Sequence, residues 1–231
     1  MKLLINCDLG ESWELQRDGT QRRLLERIDL ANVCCGAHAG DEALTRRTMM
    51  EAAETGAKVG AHPGYPDKEH FGRRPLFENG FSADAIEEEV SRQVSVAVDA
   101  AKAAGLALNH VKPHGALYNE AAVNGEVAEA IARGVRHVIK DVWLVGLAKS
   151  VMVNVFKRQG FVVLHESFAD RRYTKEGLLV PRTEAGAMIE STDEAREQIE
   201  RLAAISDTVC VHSDSTGAVE MVEALRLQLG R

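Results

Sequence analysis

The stretch LALNHVKPHG, residues 106–115, shows how this chain is organised. A short apolar run ends in polar residues, and a proline and a glycine then interrupt the strand pattern before a segment of helical spacing begins. Because alternate residues of a β-strand share a face, His110, Lys112 and His114 are predicted to point to the same side. The stretch therefore indicates a β-strand followed by a helix, with charged groups at the end of the strand.

The same pattern recurs along the chain and predicts seven β-strands. The apolar runs are Leu3–Cys7, Ala31–Ala37, Lys58–Ala61, Leu106–Val111, Asp141–Leu147, Phe161–Leu164 and Thr208–Val211. Amphipathic segments of helical length lie between them, at Asp41–Thr55, Ser82–Ala104, Glu120–Lys140, Ala148–Gln159, Thr192–Ile205 and Ala218–Leu229. Strands that alternate with helices in this way predict parallel strands with crossover helices.

Two architectures have such an alternation, an open doubly wound sheet and a closed barrel. An open sheet collects its ligand-binding groups at one switch point, from two or three strands. Here nearly every strand ends in a titratable residue, and a barrel surrounds one mouth with all its strand ends. We therefore expect an α/β protein with a single domain over residues 1–231, a TIM-like parallel (β/α) barrel of seven or eight strands. The long connection 64–81 is predicted to form a lid over the mouth.

Composition narrows the class of protein. The 231 residues are 45% hydrophobic, enough for a sizeable core, and 28 basic against 35 acidic residues give a net charge of −7. That charge argues against nucleic acid or an anionic membrane as the main partner. No apolar run approaches a membrane span of roughly 20 residues, and Asp8 and Glu11 come too early for a signal peptide. The four cysteines lack CxxC spacing, so we expect reduced thiols in a cytoplasmic protein.

Histidines gather at the strand ends. Six of the eight lie in or just after a predicted strand. One such histidine alone is usually structural, but six with neighbouring carboxylates are costly to bury unless they pair or face a wet cleft. The predicted catalytic residues are Asp8, His38, His62, Lys112, His114, Glu166 and His212, and the predicted substrate-binding residues are Asp170, Arg171, Arg182 and Asp214. His137 and His165 are expected to be structural.

The chemistry of these side chains suggests their roles. A carboxylate such as Asp8 or Asp214 can orient a histidine, fix its tautomer and raise its basicity. Lys112 can stabilise an oxyanion or bind a substrate carboxylate. An arginine of the 171–182 segment can hold a carboxylate through a bidentate fork.

The sequence indicates cofactor binding less clearly than it indicates the catalytic residues. His38, His62, His114 and His212 with Asp8 could supply two histidines and one carboxylate to a divalent metal, but no H-E-x-x-H spacing accompanies them. The sequence therefore leaves metal binding open. It contains neither a P-loop nor a GxGxxG after a strand, so nucleotide binding by this chain alone is not indicated.

The strand-end motifs resemble those of the LamB/YcsF family, the group of bacterial 5-oxoprolinase A subunits. The matching blocks are INCDLGES (5–12), ANVCCGAHAGD (31–41), VGAHPGYPD with FGRRPL (59–67 and 71–76), HVKPHGALYN (110–119), ESFADRRY (166–173), LVPRTEAGA (179–187) and VCVHSD (209–214). The resemblance implies a barrel related to the polysaccharide-deacetylase type. It also implies ATP-dependent opening of 5-oxo-L-proline to L-glutamate with two partner subunits, the ATP being used by the complex.

Two other functions remain open at this point. The same barrel and the same histidines and aspartates could serve a metal-dependent deacetylase of N-acetylated sugars. Alternatively, the chain could be a non-catalytic subunit that presents a small ligand to its partners. A homo-oligomer is compatible with each of these functions.

Overall fold

Seven parallel strands close into a barrel in chain order in the computed structural model, which describes residues 3–230. The strands are β1 (Leu4–Leu9), β2 (Leu30–Cys34), β3 (Lys58–His62), β4 (His110–Val111), β5 (Trp143–Leu147), β6 (Val162–Phe168) and β7 (Thr208–Cys210). The ring closes where β1 pairs with β7, with Leu4 opposite Thr208. The predicted parallel barrel is confirmed, with seven strands in the described part of the chain.

Helices surround the barrel. They are α1 (Trp13–Arg17), α2 (Thr20–Leu25), α3 (Glu42–Thr55), α4 (Ala83–Ala103), α5 (Gly115–Val123), α6 (Gly125–Val138), α7 (Val151–Arg158), α8 (Thr192–Leu202) and α9 (Ala218–Gln228). Asp41 and Ser82 cap α3 and α4, because each side chain accepts a hydrogen bond from a backbone N–H of the first turn. Within residues 3–230, no helix is long and apolar enough to cross a membrane.

One helical prediction was wrong, and two short helices were missed. The single helix expected over Glu120–Lys140 is instead α5 and α6, divided at Asn124. Its extended backbone ends α5, and its side chain accepts a hydrogen bond from the Glu126 N–H to start α6. The two short helices α1 and α2 were not predicted, because they are too short to show a clear apolar period.

The inside of the barrel changes from apolar at the bottom to polar at the top. Leu30, Val145 and Leu164 form a small separate core at the amino-terminal end of the strands. The opposite strand faces pack against the helices, and Val111 and Val209 lie in that larger core. This arrangement follows from strand parity, since one face of each strand points inward and the other toward the helices.

Above the apolar layer, side-chain amides form a buried hydrogen-bond network. Asn32 Nδ2 donates to Asn6 Oδ1 at 2.7 Å and to Asp8 Oδ1 at 2.8 Å, and Asn6 Nδ2 donates to the Thr208 hydroxyl at 2.9 Å. His110 Nε2 donates to Asn32 Oδ1 at 2.8 Å. Burial lowers the pKa of His110 to about 3, so its ring is neutral. The network fixes the orientation of Asp8 from below.

Gly60 makes room for this network. A Cβ atom at Gly60 on β3 would lie 2.3 Å from the His110 ring, which sits on the neighbouring strand. We expect Gly60→Ala to lower the free energy of unfolding by about 1–3 kcal/mol, because the added methyl group overpacks a rigid polar layer. Denaturant unfolding followed by circular dichroism measures the change.

Gly125→Ala is the matched control. Its Cβ atom would meet nothing closer than 3.8 Å, so we expect a change of less than about 1 kcal/mol. Equal stability losses for the two variants would contradict the assignment of His110 to the space beside Gly60.

Candidate active site

A cavity of about 560 Å³ lies at the carboxyl ends of the strands. Its lining combines charged groups of the strand ends with an apolar wall and three arginines, Arg73, Arg171 and Arg182. The charged and ionisable residues at its base are Asp8, His62, Lys112, His114 and His212, and the wall includes Leu147, Phe168, Leu178, Leu179, Arg171 and Arg182. The structure thus brings five of the predicted catalytic residues and two of the predicted substrate-binding residues to one cavity.

Lys112 lies at the centre of the site and is buried. Its Nζ donates to Asp8 Oδ1 at 2.8 Å, to Cys210 Sγ at 3.1 Å and to Asn6 Oδ1 at 3.3 Å. Glu166 Oε1 lies 3.1 Å from the same nitrogen. An ammonium group has three hydrogens, so the protein itself uses all of them. The geometry makes Lys112 a group that positions Asp8 and Glu166.

The charges of this centre shift the pKa values of its members. Burial by itself raises the pKa of Asp8, but the neighbouring His62 and Lys112 outweigh burial and hold that pKa well below its ordinary value. Burial by itself lowers the pKa of Lys112, but the neighbouring Asp8 carboxylate does most to raise it well above the ordinary value. Both groups are therefore charged at neutral pH.

Lys112→Met should show how much stability the protein loses when the two buried carboxylates have no cation beside them. The substitution keeps the length of the side chain and leaves Asp8 and Glu166 buried without a cation. We expect the free energy of unfolding to fall by about 3–5 kcal/mol, the usual result of breaking a buried ion pair from one side. Chemical denaturation of the purified chain measures this change.

A second substitution separates charge from packing. Adding Glu166→Gln to Lys112→Met removes one of the two carboxylates and should restore part of the lost stability. Lys102→Met, at an exposed position of α4, should change stability by less than about 0.5 kcal/mol. Lys112→Met with wild-type stability would show that the ion pair does not stabilise the fold.

His38, His62 and His114 lie together next to Glu11. Glu11 Oε1 is 3.1 Å from His38 Nε2, 3.4 Å from His114 Nδ1 and 3.8 Å from His62 Nε2. The rings of His38 and His114 are stacked with their centroids 3.7 Å apart. Burial lowers the pKa values of His38 and His114 well below normal and raises that of Glu11. Glu11 was not among the predicted site residues.

The connection 64–81 covers this histidine cluster. Phe71 has a left-handed backbone with a φ of 55°, and its carbonyl oxygen lies 2.9 Å from His114 Nε2. A Cβ atom at Gly72 would be 2.7 Å from His38 Cβ, so only glycine allows this close approach. Lys68 donates to the Gly40 carbonyl oxygen and fixes the outer part of the segment. Movement of the segment as a lid stays a prediction.

His212 is oriented by Asp170. Its Nδ1 lies 2.9 Å and 3.0 Å from the two Asp170 oxygens, and its backbone N–H donates to the same carboxylate. The contacts place the proton on Nδ1 and leave Nε2 free on the side of the cavity, 3.8 Å from Asp8 Oδ2. Burial by itself raises the pKa of Asp170, but the neighbouring His212 and the hydrogen bonds from His212 and Ser215 lower it to about 2. The expected partner, Asp8 or Asp214, is therefore replaced by Asp170.

Three arginines gather at the mouth around one carboxylate. Asp214 Oδ2 accepts from Arg73 at 2.6 Å and from Arg182 at 3.0 Å. Arg171 donates to the Val180 carbonyl oxygen at 2.6 Å, and its pKa is lowered to about 10, mainly by burial and then by the charge of Arg182. Arg171 Nε and Arg182 Nη2 are buried donors without a hydrogen-bond partner among residues 3–230. The group has an excess of positive charge that favours an anion.

The remaining predicted residues fall outside the cavity or below it. Glu166 is fully buried under Lys112 and does not line the cavity. His137 is exposed and pairs with Glu87, and His165 contacts Lys157 on the outside of the barrel, which agrees with the structural role expected of both. Glu11 could have been found from the sequence, because it lies in the INCDLGES block three residues after Asp8.

The family model of the LamB/YcsF family matches residues 3–231. This chain belongs to the LamB/YcsF family. This LamB/YcsF protein is 40% identical over 239 residues to a curated relative, the 5-oxoprolinase A subunit of Bacillus subtilis (strain 168). The match covers 97% of this chain and 92% of the relative. The 5-oxoprolinase A subunit of Tolumonas auensis is 39% identical over 97% of this chain and 94% of its own length.

Two solved structures are similar to this LamB/YcsF protein. The crystal structure of a lactam utilization protein from Thermus thermophilus matches with a TM-score of 0.88 and 33% identity, over 100% of this chain and 96% of the other. A deacetylase solved with its substrate matches with a TM-score of 0.52 and 12% identity, over 99% of this chain and 83% of the other. The second likeness concerns the fold alone and agrees with the expected deacetylase-type barrel.

Proposed function

We propose that this LamB/YcsF protein is a subunit of an ATP-dependent 5-oxoprolinase, which hydrolyses the lactam 5-oxo-L-proline to L-glutamate together with two partner subunits. The relatives named as 5-oxoprolinase A subunits support the proposal at the level of the family. The observation that carries it in this chain is the cavity, which is lined by an oriented histidine, His212, and by the arginines Arg171 and Arg182. A cavity of about 560 Å³ is an ordinary size for a small-molecule site.

The substrate has two features that the cavity matches. 5-Oxo-L-proline carries one carboxylate and one cyclic amide. Arg171 and Arg182 line the cavity and carry positive charge, so in this proposal they bind the carboxylate. The apolar wall formed by Leu147 and Phe168 is suited to the methylene groups of the ring.

In the proposed reaction, His212 is the general base. Its Nε2 takes a proton from a water molecule whose oxygen attacks the lactam carbonyl carbon, and Asp170 stabilises the imidazolium that forms. The carbon–nitrogen bond of the ring then breaks, and the proton passes to the leaving nitrogen. Lys112 positions Asp8 next to the reacting groups, since its donors are already engaged.

Asp170→Asn tests the histidine–aspartate pair. The amide can donate to His212 Nδ1 and so favours the tautomer with the proton on Nε2, which cannot act as a base. We expect turnover by the reconstituted complex to fall about 10²–10⁴-fold, as expected when the orienting carboxylate of such a pair is lost. ATP-dependent glutamate formation is the measurement, and Asp99→Asn in α4 is the control with unchanged turnover. An active Asp170→Asn complex would reject His212 as the base.

The chain alone should not hydrolyse ATP. Its sequence has no phosphate-binding loop, so activation by ATP is assigned to partner subunits. Glutamate formation from 5-oxo-L-proline, measured with and without ATP and with each partner omitted, tests the proposal. Robust ATPase activity of the isolated chain would contradict this assignment, and a complete complex without turnover would contradict the function.

The same chemistry predicts the cellular compartment of the proposed complex. We assign it to the cytoplasm, where ATP is available and the four buried thiols, Cys7, Cys34, Cys35 and Cys210, stay reduced. In this proposal the chain acts as one catalytic domain over residues 1–231, and binding to partners or to further copies leaves the cavity open to substrate.

A metal-dependent deacetylase is the second candidate. The observation in its favour is the cluster of Glu11 with His38, His62 and His114, whose ligand atoms lie within 4.8 Å of one another. Acetate release from N-acetylglucosamine oligomers by the chain without ATP or partners would favour this candidate. Tight ligand binding without turnover in every combination of subunits would instead favour a ligand-presenting role.

A further inference from the structure

Two buried histidines face each other through one ring nitrogen each. His62 Nδ1 lies 2.8 Å from the Lys112 carbonyl oxygen, and His114 Nε2 lies 2.9 Å from the Phe71 carbonyl oxygen. A carbonyl oxygen can only accept, so each of these nitrogens carries a hydrogen. When both rings are neutral, the other nitrogens, His62 Nε2 and His114 Nδ1, are bare lone pairs, and they lie only 2.9 Å apart. Such an arrangement is repulsive unless a positive group lies between them.

Two more ligand-type atoms converge on the same point. Glu11 Oε1 lies 3.4 Å from His114 Nδ1 and 3.8 Å from His62 Nε2. His38 Nε2 lies 3.1 Å from the same oxygen and donates to it when that nitrogen carries the hydrogen, whereas an ion requires the tautomer with the hydrogen on Nδ1. A single proton shared by His62 and His114 satisfies only those two nitrogens. A divalent ion lying among the four atoms can bind all of them.

We propose that Glu11, His38, His62 and His114 bind one divalent transition-metal ion. Three imidazole nitrogens and one carboxylate oxygen suit Zn²⁺ and its neighbours in the first transition row. Ligand distances of about 2.0–2.1 Å in a tetrahedral site place the ligand atoms about 3.3 Å from one another. Four of the six separations, 2.9, 3.1, 3.4 and 3.8 Å, lie on both sides of that value, and each of the four residues has a ligand atom within 4.8 Å of those of the others.

The surroundings hold the ligands as a metal site requires. The carbonyl oxygens of Lys112 and Phe71 fix the tautomers of His62 and His114, which is the usual role of outer-shell acceptors around metal-binding histidines. The left-handed backbone of Phe71 places its carbonyl oxygen on His114. Gly64 allows close approach to His38, because a Cβ atom there would lie 2.7 Å from His38 Nδ1.

A second group of ligand-type atoms is a poorer candidate. Asp8, Cys210 and His212 also lie close enough to share an ion. However, the Lys112 ammonium lies 2.8 Å from Asp8 Oδ1 and 3.1 Å from Cys210 Sγ, so a positive charge is already present. Burial also raises the pKa of the Cys210 thiol well above its ordinary value, which opposes the thiolate that a metal needs.

The inference goes beyond the proposed function. His62 and His114 line the cavity, so the ion would lie at its edge and beside Asp8. Binding can be measured without substrate, ATP or partner subunits. Failure of metal binding and failure of glutamate formation are therefore separate results.

The test uses the purified full chain after treatment with a chelator and dialysis. Titration calorimetry with Zn²⁺, and absorption spectroscopy with Co²⁺, should show one saturable site per chain and the visible bands of a four- or five-coordinate Co²⁺. Glu11→Gln and His114→Gln should each weaken binding at least about tenfold, because each removes a ligand. His137→Gln, at the exposed surface histidine, should bind like the wild type.

Circular dichroism of each metal-free variant shows whether it folds. If Glu11→Gln or His114→Gln unfolds, His38→Asn takes its place as the ligand variant. A wild-type chain that binds neither ion more tightly than about 1 mM (about −4.1 kcal/mol) would overturn the proposal and favour a shared proton. The proposal would also be overturned if folded ligand variants bound as tightly as the wild type.

Discussion

The buried ammonium of Lys112 is the group around which the inside of the barrel is arranged. A charge in that place is tolerated only because Asp8 and Glu166 balance it and Asn6 and Cys210 accept its remaining hydrogens. Those acceptors come from β1, β6 and β7, so one nitrogen joins strands from both ends of the chain. The position of Asp8, and with it the base of the cavity, depends on this contact.

The site divides into two halves with different chemistry on either side of Asp8. One half is the histidine cluster with Glu11, in which neutral rings and a carboxylate present lone pairs to a common point. The other half is His212 with Asp170 and the arginine group at the mouth. The first half is suited to a cation and the second to an anion and a proton. The two Asp8 oxygens connect them, since Oδ1 contacts Lys112 while Oδ2 lies near His62 and His212.

Strand parity explains why much of this was predictable. The alternation in HVKPH places His110, Lys112 and His114 on one face whatever the neighbouring strands are, and the barrel then fixes that face as the inside. Which carboxylate pairs with His212 was not predictable in the same way. Asp170 and His212 lie 42 residues apart and meet because β6 and β7 are neighbours, whereas the sequence analysis named Asp8 or Asp214 as the orienting carboxylate. Glu11 was missed because it follows β1, where parity no longer applies.

The closure of the barrel also has a consequence for the order in which the protein can fold during synthesis. Asn6 binds Thr208, and Lys112 binds Cys210, so these contacts join residues 202 and 98 positions apart. A ribosome adds about 5–20 residues per second, so Lys112 waits for several seconds before its last partner exists. During that time the ammonium must remain hydrated and the strands around it open. The interior network therefore forms late, and the growing chain exposes unpaired strand edges that chaperones can bind.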